Sequence, residues 1–291
     1  MLLTRSTIIN WGLFLALSFI WGSSFILMKE GLKALSAYQV AALRIGSGGF
    51  VLLPFAYKHL REVPSGKLSY IILSGLLGSF IPAFLYCIAE TKIDSSLAAF
   101  LNALTPISTI IIGVLLFNSK LAMQKIVGVL LGLSGMVILL FGDGSVNLGN
   151  LSFSSLVLVA TICYSLNANI VNRHLKEVGS TKIAAISFAI LLVPSVLILL
   201  VTGFFQLPFM EIDTLKATGA GVLLGVGGTA IGTIIFYMLL KRAGIVFSSL
   251  VTYAIPFVAL MWGIIAGESI TIIQVAGLAV ILLAVYITNR R

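Results

Sequence analysis

The chain has 291 residues, 59% of them hydrophobic and 9% charged, with a mean hydropathy of +1.16. So few charges cannot clothe a water-soluble surface, which excludes a soluble domain and puts the chain in lipid. The formal charge of +9 is scattered singly through short loops, with no basic patch interleaved with aromatics, so nucleic acid is excluded as a partner.

Apolar runs of about twenty residues, enough to cross a hydrocarbon core as a helix, predict spans near 8–28, 36–57, 68–90, 95–117, 122–141, 151–172, 180–203, 214–240, 245–266 and 271–288. Helices are the expectation because a backbone in lipid must satisfy its own hydrogen bonds. A β-barrel would show short alternating segments instead of continuous Leu, Ile, Val and Ala runs. The first run is too long for the apolar core of a cleaved signal and continues into Lys29-Glu30, so it reads as a retained helix. Turn chemistry marks the breaks: Lys58 to Lys67 with Pro64 and Gly66, Gly142 to Asn150, Arg173 to Ser180, and Gln206 to Asp213. Cys87 and Cys163 fall inside apolar runs, which supports neither a disulfide framework nor a metal site.

Placing the amino terminus in the cytoplasm puts thirteen basic residues on that side and four, Lys29, Lys33, Lys92 and Lys216, outside, with Arg44 inside a span. This bias predicts that both termini are cytoplasmic. Self-comparison then reveals a duplication: an offset of 150 residues pairs Gly75 with Gly225, Tyr86 with Phe236, Pro106 with Pro256 and Gln124 with Gln274. An offset of 143 brings Trp21 over Tyr164. Five spans is an odd number, so the second copy is predicted to be inverted, with domains at 1–145 and 146–291. Inverted repeats meeting at the midplane are a recurrent transporter plan.

Trp21-Gly22-Ser23-Ser24-Phe25 with Lys29, Leu43-Arg44, Leu104-Thr105-Pro106, and Gly267-Glu268 followed by Gln274, Gly277 and Leu278 together resemble the EamA-type transporters of the drug/metabolite transporter superfamily, over essentially the whole chain. That resemblance implies an all-α integral membrane fold of ten helices in two inverted five-helix repeats, in a bacterial inner membrane. It also implies a central cavity lined mainly by helices one, three, four, six, eight and nine, and export of amino acids or related metabolites. Two positions depart from the pattern: Asn118 stands where the second repeat has Glu268, and Asn102 is polar where the family is commonly apolar.

Several residues are candidates for the cavity. Helix four carries Ser95, Ala98, Asn102, Thr105 and Thr109 on one stripe, of which Asn102 is the site candidate and Thr109 reads as interhelical packing. Helix three carries Ser79, Ala83, Tyr86 and Glu90 on one face, matched by Thr229, Thr233 and Phe236 in the second copy. The aromatics Trp21, Tyr86, Tyr164, Phe236, Tyr237, Tyr253 and Trp262 include several residues away from span ends. The expected substrate-binding set is Trp21, Ser79, Tyr86, Asn102, Tyr164, Asn167, Phe236 and Tyr253. Arg44 and Glu90 are expected charge contacts, with Arg44 free to bind a substrate carboxylate or to pair with Glu30 or Glu90. Pro82, Pro106 and Pro256 are expected gating kinks, while Glu268 and Ser269 read as amino-terminal helix polarity.

No phosphate loop, HExxH pair or GxSxG elbow occurs, so no enzyme, cofactor or metal is expected. The expected partners are a small-molecule substrate and the bilayer, with protons or a counter-substrate as coupling options and a monomer or weak homodimer as the assembly. A multidrug or other solute permease of the same fold is the alternative, and a membrane channel the alternative from another class.

Overall fold

The computed structural model describes residues 5–93, 95–120, 122–141, 150–265 and 271–289. Among these, all regular structure is helical. The helices are α1 (Arg5–Gly31), α2 (Ala37–His59), α3 (Ser65–Gly75), α4 (Ile81–Ala89), α5 (Ser95–Asn102), α6 (Thr105–Phe117) and α7 (Met123–Phe141). The second half holds α8 (Leu151–His174), α9 (Ser180–Val201), α10 (Ile212–Leu223), α11 (Gly232–Ala243), α12 (Ile245–Ser249), α13 (Val251–Ile265) and α14 (Ile272–Asn289).

Among the described residues, seven helical stretches are long and apolar enough to cross a membrane; those built from more than one element are Ala37–Glu62, where a 3-10 turn extends α2, Ser65–Ala89, Leu97–Phe117 and Ile212–Ala243. The expected spans near 122–141, 245–266 and 271–288 correspond to shorter apolar helices, Met123–Ile138, Ile245–Val258 and Val275–Thr288. The outer surface is apolar: Leu115 is 72% exposed and Val201 87% exposed. An outer surface of this kind is compatible with lipid as the solvent, not water.

Local chemistry sets the breaks. Ser36 caps α2 through a reciprocal capping box with Gln39. Asn118 ends α6 in the left-handed conformation, φ 51°, which an Asn tolerates better than most side chains. Between α3 and α4 the chain runs through a π-helical segment, Leu76–Phe80, and between α10 and α11 through another, Leu224–Ile231. The 150-residue offset superposes the first on the second. Each is Gly-containing, and π-helical turns recur where a helix meets a functional site.

Packing follows the same correspondence. The largest helix contacts are α2 against α9 and α7 against α14, that is, each helix against its own counterpart. Contacts of α1 with α13 are matched by α6 with α8, and those of α1 with α10 and α11 by α8 with α3 and α4. Such exchanged pairs are what a two-fold relation produces, where residue i meets j and j′ meets i′.

Candidate central cavity

A cavity lies where these paired helices meet, with a volume of about 100 Å³ open to the centre of a water-sized sphere. Its walls come from α1, α2, both π-helical segments, α4, α5, α6, α8, α11, α12 and α13. The lining is close to self-matching under the duplication. With the 150-residue offset, Gly78 matches Gly228, Ser79 matches Thr229, Tyr86 matches Phe236, Asn102 matches Thr252 and Thr105 matches Ile255. With the 143-residue offset, Trp21 matches Tyr164, Ser24 matches Asn167 and Phe25 matches Ala168.

Two glycines let the walls close. A Cβ on Gly78 would overlap the Asn167 amide, and one on Gly228 would come 2.7 Å from Ser24 Oγ. These are the same contact made twice, since Ser24 and Asn167 are counterparts. The aromatic rings repeat the pattern: Trp21 lies 5.4 Å from Phe236, and Tyr86 lies 6.1 Å from Tyr164. The Trp21 indole N–H donates to the Gly228 carbonyl at 3.0 Å, which fixes its ring over the second π-helical segment.

Differences between the walls are equally specific. Ser74 donates to Asn167 Oδ1 at 2.7 Å and lies 2.8 Å from the Tyr237 hydroxyl, which itself lies 3.3 Å from Asn167 Oδ1. The counterparts of Ser74, Asn167 and Tyr237 are Leu224, Ser24 and Cys87, which form no such triad. Further links join helices at the end of the bundle where α1 begins. Lys67 donates to the His174 carbonyl at 2.8 Å, Lys182 pairs with Glu62 at 2.5 Å, Lys241 donates to the Val178 carbonyl, and Tyr70 stacks on His174 at 4.2 Å.

Pro106 has no N–H for the Asn102 carbonyl, and the Thr105 hydroxyl takes that acceptor at 2.6 Å. From α8, Asn169 donates to the Thr109 carbonyl sixty positions earlier at 3.1 Å, while the Ser165 and Thr161 hydroxyls lie 3.2 and 3.4 Å from the Thr105 and Leu101 carbonyls and 2.9 Å from carbonyls of α8 itself. These three contacts, four residues apart along α8, link it to the broken α5–α6 stretch, with the Asn169 bond worth roughly 0.6–2 kcal/mol in a membrane. Thr109, read from the sequence as interhelical packing, donates to Ser165 at 3.2 Å and also lines the cavity. Pro82 lies in the first turn of α4, directly after its π-helical segment, and Pro256 lies inside α13.

Seven of the eight residues expected to bind substrate line the cavity: Trp21, Ser79, Tyr86, Asn102, Tyr164, Asn167 and Phe236. Tyr253 does not. It is fully buried, its hydroxyl donates to the Val129 carbonyl at 2.9 Å, and its ring lies over Gly132 of α7. One residue along a helix turns the side chain by about 100°, and the neighbour Thr252 takes the lining position. The lining residues Ser24, Ser248, Ser249 and Thr252 were not anticipated from sequence, although the two offsets applied to Asn167 and Asn102 lead to Ser24 and Thr252. The Trp262 side chain and Glu268 with Ser269 lie outside the described residues.

The charged candidates separate. Arg44 lines the cavity, donating from Nε to Thr229 Oγ1 at 3.0 Å; its two terminal nitrogens make no hydrogen bond and no ion pair among the described residues. Pairing with Glu30 or Glu90 is not observed: Glu30 pairs with Lys33 at 2.5 Å, and Glu90 Oε2 accepts from Ser95 at 3.4 Å. Glu90 is 8% exposed, its Oε1 has no partner, and it is not among the cavity-lining residues. The Tyr86 hydroxyl, at the wall, is likewise buried without a partner. An Arg at a helix centre costs roughly 2.5–3.5 kcal/mol to insert, whereas one hydrogen bond to a charged group returns about 1.5–3 kcal/mol. The Thr229 bond leaves most of the guanidinium's donor capacity unused.

A multi-helix bundle with an apolar exterior and a largely apolar cavity carrying several polar side chains at the meeting of two matched walls fits a membrane transporter. The sequence profile of the EamA-like transporter family matches residues 10–141 and again 152–290; the chain belongs to that family. A relative in Escherichia coli (strain K12), the "Uncharacterized inner membrane transporter YedA", is 25% identical over 96% of this chain and 90% of its own. A "Probable amino-acid metabolite efflux pump" of Salmonella typhimurium is 25% identical over 92% of this chain and 90% of its own. A crystal structure of another protein shares the fold with a TM-score of 0.73 at 18% identity, covering 98% of this chain and 96% of that one.

Proposed function

We propose that this chain is a secondary transporter, not an enzyme, that moves small metabolites, amino acids or related compounds, across a bacterial inner membrane by alternating access. In this reading ten spans form two inverted five-helix repeats, 1–145 and 146–291, with both termini cytoplasmic, acting as a monomer or weak homodimer. The observation that carries it is the self-matching lining of the central cavity, because rocking one repeat against the other exposes a site between such walls to each side in turn. The two separate profile matches and the excess of basic residues at one end support the repeat and its orientation. The names of the Escherichia coli and Salmonella relatives support the membrane and the substrate class. Trp21, Ser79, Tyr86, Asn102, Tyr164, Asn167 and Phe236 are the proposed contacts, and Pro82, Pro106 and Pro256 the proposed kinks about which the helices bend.

Purified protein in proteoliposomes tests this with a panel of labelled amino acids, purines, sugars and cationic drugs, with and without a pH gradient. Saturable uptake of at least one amino acid, with counterflow from vesicles preloaded with the unlabelled compound, is expected. Transport of cationic drugs alone would favour a multidrug permease. Flux that neither saturates nor shows counterflow would mark a channel.

A further inference from the structure

Arg44 breaks the match between the two walls. Its position in α2 faces α9 and the second π-helical segment, and the corresponding stretch of α9 carries no basic residue beyond Lys182 in its first turn. Among the described residues the cavity therefore holds one cation, and none of the described lining residues is an Asp or Glu. The guanidinium is held at Nε by Thr229, which leaves its terminal N–H groups as a planar fork without a partner. From α4, which packs against α2, the buried Tyr86 hydroxyl also reaches the cavity wall and makes no hydrogen bond there.

We propose that this pair is a carboxylate subsite: the transported solute carries one carboxylate, received by the Arg44 fork and the Tyr86 hydroxyl, with its body between the aromatic pairs Trp21–Phe236 and Tyr86–Tyr164. The assignment rests on the transporter reading above and deepens it. A planar fork suits a carboxylate bidentately, and one guanidinium neutralises one negative charge. A phosphate dianion would leave a charge uncompensated, because no Lys lines the cavity. A cation would find no acidic side chain in the described lining, since Glu90, which interacts electrostatically with Arg44, lies outside it, and a neutral amide would leave the fork's charge unmatched. Charge selection by repulsion as well as attraction follows from the single unpaired cation.

The test uses the full-length protein in proteoliposomes with labelled phenylalanine, leucine and methionine, the carboxamide, decarboxylated amine and deaminated acid of each, and phenyl phosphate. Wild type is expected to move at least one carboxylate about tenfold or more faster, by kcat/KM, than its carboxamide or amine. Arg44→Gln is expected to bring that ratio close to one, with Arg44→Lys between. Tyr86→Phe is expected to raise KM for the carboxylates several-fold with little change in kcat. Monodispersity and Tm of each variant establish that it is folded, and the ratio within one variant is insensitive to how much folded protein is present. Wild type moving carboxamide or amine as fast as carboxylate, or phenyl phosphate faster than either, overturns the subsite while leaving the transporter reading intact. An unchanged ratio in Arg44→Gln overturns it too. No saturable flux of any compound counts against both.

Discussion

The two walls of the cavity were built from one plan and have diverged at a few points. Where they agree, the residues do mechanical work: Gly78 under Asn167 and Gly228 under Ser24, Tyr86 beside Tyr164 and Trp21 beside Phe236. Where they differ, one wall has gained polar chemistry. Asn167 anchors Ser74 and Tyr237, while its counterpart Ser24 bonds only the Ile20 carbonyl one turn back, at 2.8 Å. In the proposed alternating-access reading the matched residues would let the cavity open to either side, while the unmatched ones add the Ser74–Asn167–Tyr237 cluster and the charge of Arg44.

The largest expected effect comes from filling the matched glycines. Gly78→Val and Gly228→Val should each cut transport by more than tenfold, because either Cβ collides with the opposite wall. Gly78→Ala should lower stability by about 1–3 kcal/mol, and more than Gly228→Ala, since the Asn167 amide is held by two partners and cannot turn aside. Thermal unfolding in detergent distinguishes them; equal shifts would mean that the walls are equally compliant.

Next in size is the triad. Asn167→Ala leaves two buried hydroxyls without their shared acceptor and should cost about 1–3 kcal/mol. Ser24→Ala, at the matching position, should cost under about 0.5 kcal/mol, because its only bond is a local back-bond to its own helix. A Ser24→Ala loss as large as that of Asn167→Ala would remove the asymmetry described here.

Much of this was legible beforehand, for reasons that can be named. Hydropathy placed the long helices because lipid admits little else, and the 150-residue offset found both π-containing stretches through Gly75, Gly225, Tyr86 and Phe236 without revealing that they are π-helical. That switch depends on how α2 crosses Gly225, where a Cβ would strike Ser47 and the Arg44 carbonyl. Ser24, Ser248 and Ser249 escaped notice because small hydroxyl residues on an apolar helix read equally as packing. Tyr253 was misplaced because an aromatic inside a span signals burial without direction, and α7 rather than the cavity receives it. The Arg44 alternatives were not separable by sequence, since Glu30 and Glu90 were both in reach along the chain and only the fold engages them elsewhere.

The smallest effects concern the helix breaks. Pro106→Ala and Pro256→Ala should change the transport rate by a few-fold while leaving the order of preferred substrates unchanged. Pro106→Ala should act more weakly, because Asn169 of α8 already holds the stretch after the break through the Thr109 carbonyl. Initial rates and competition profiles in proteoliposomes check both; a reordered substrate preference would make the prolines part of the binding surface.

Alternating access at the matched walls is tested most directly by Ser79→Cys in a Cys87→Ala, Cys163→Ala background, labelled by a membrane-impermeant maleimide in right-side-out and inside-out vesicles. Labelling from both sides, with substrate protecting the position from either and a saturating non-transported inhibitor trapping one orientation, is the predicted result. Labelling from one side alone under every condition would contradict it.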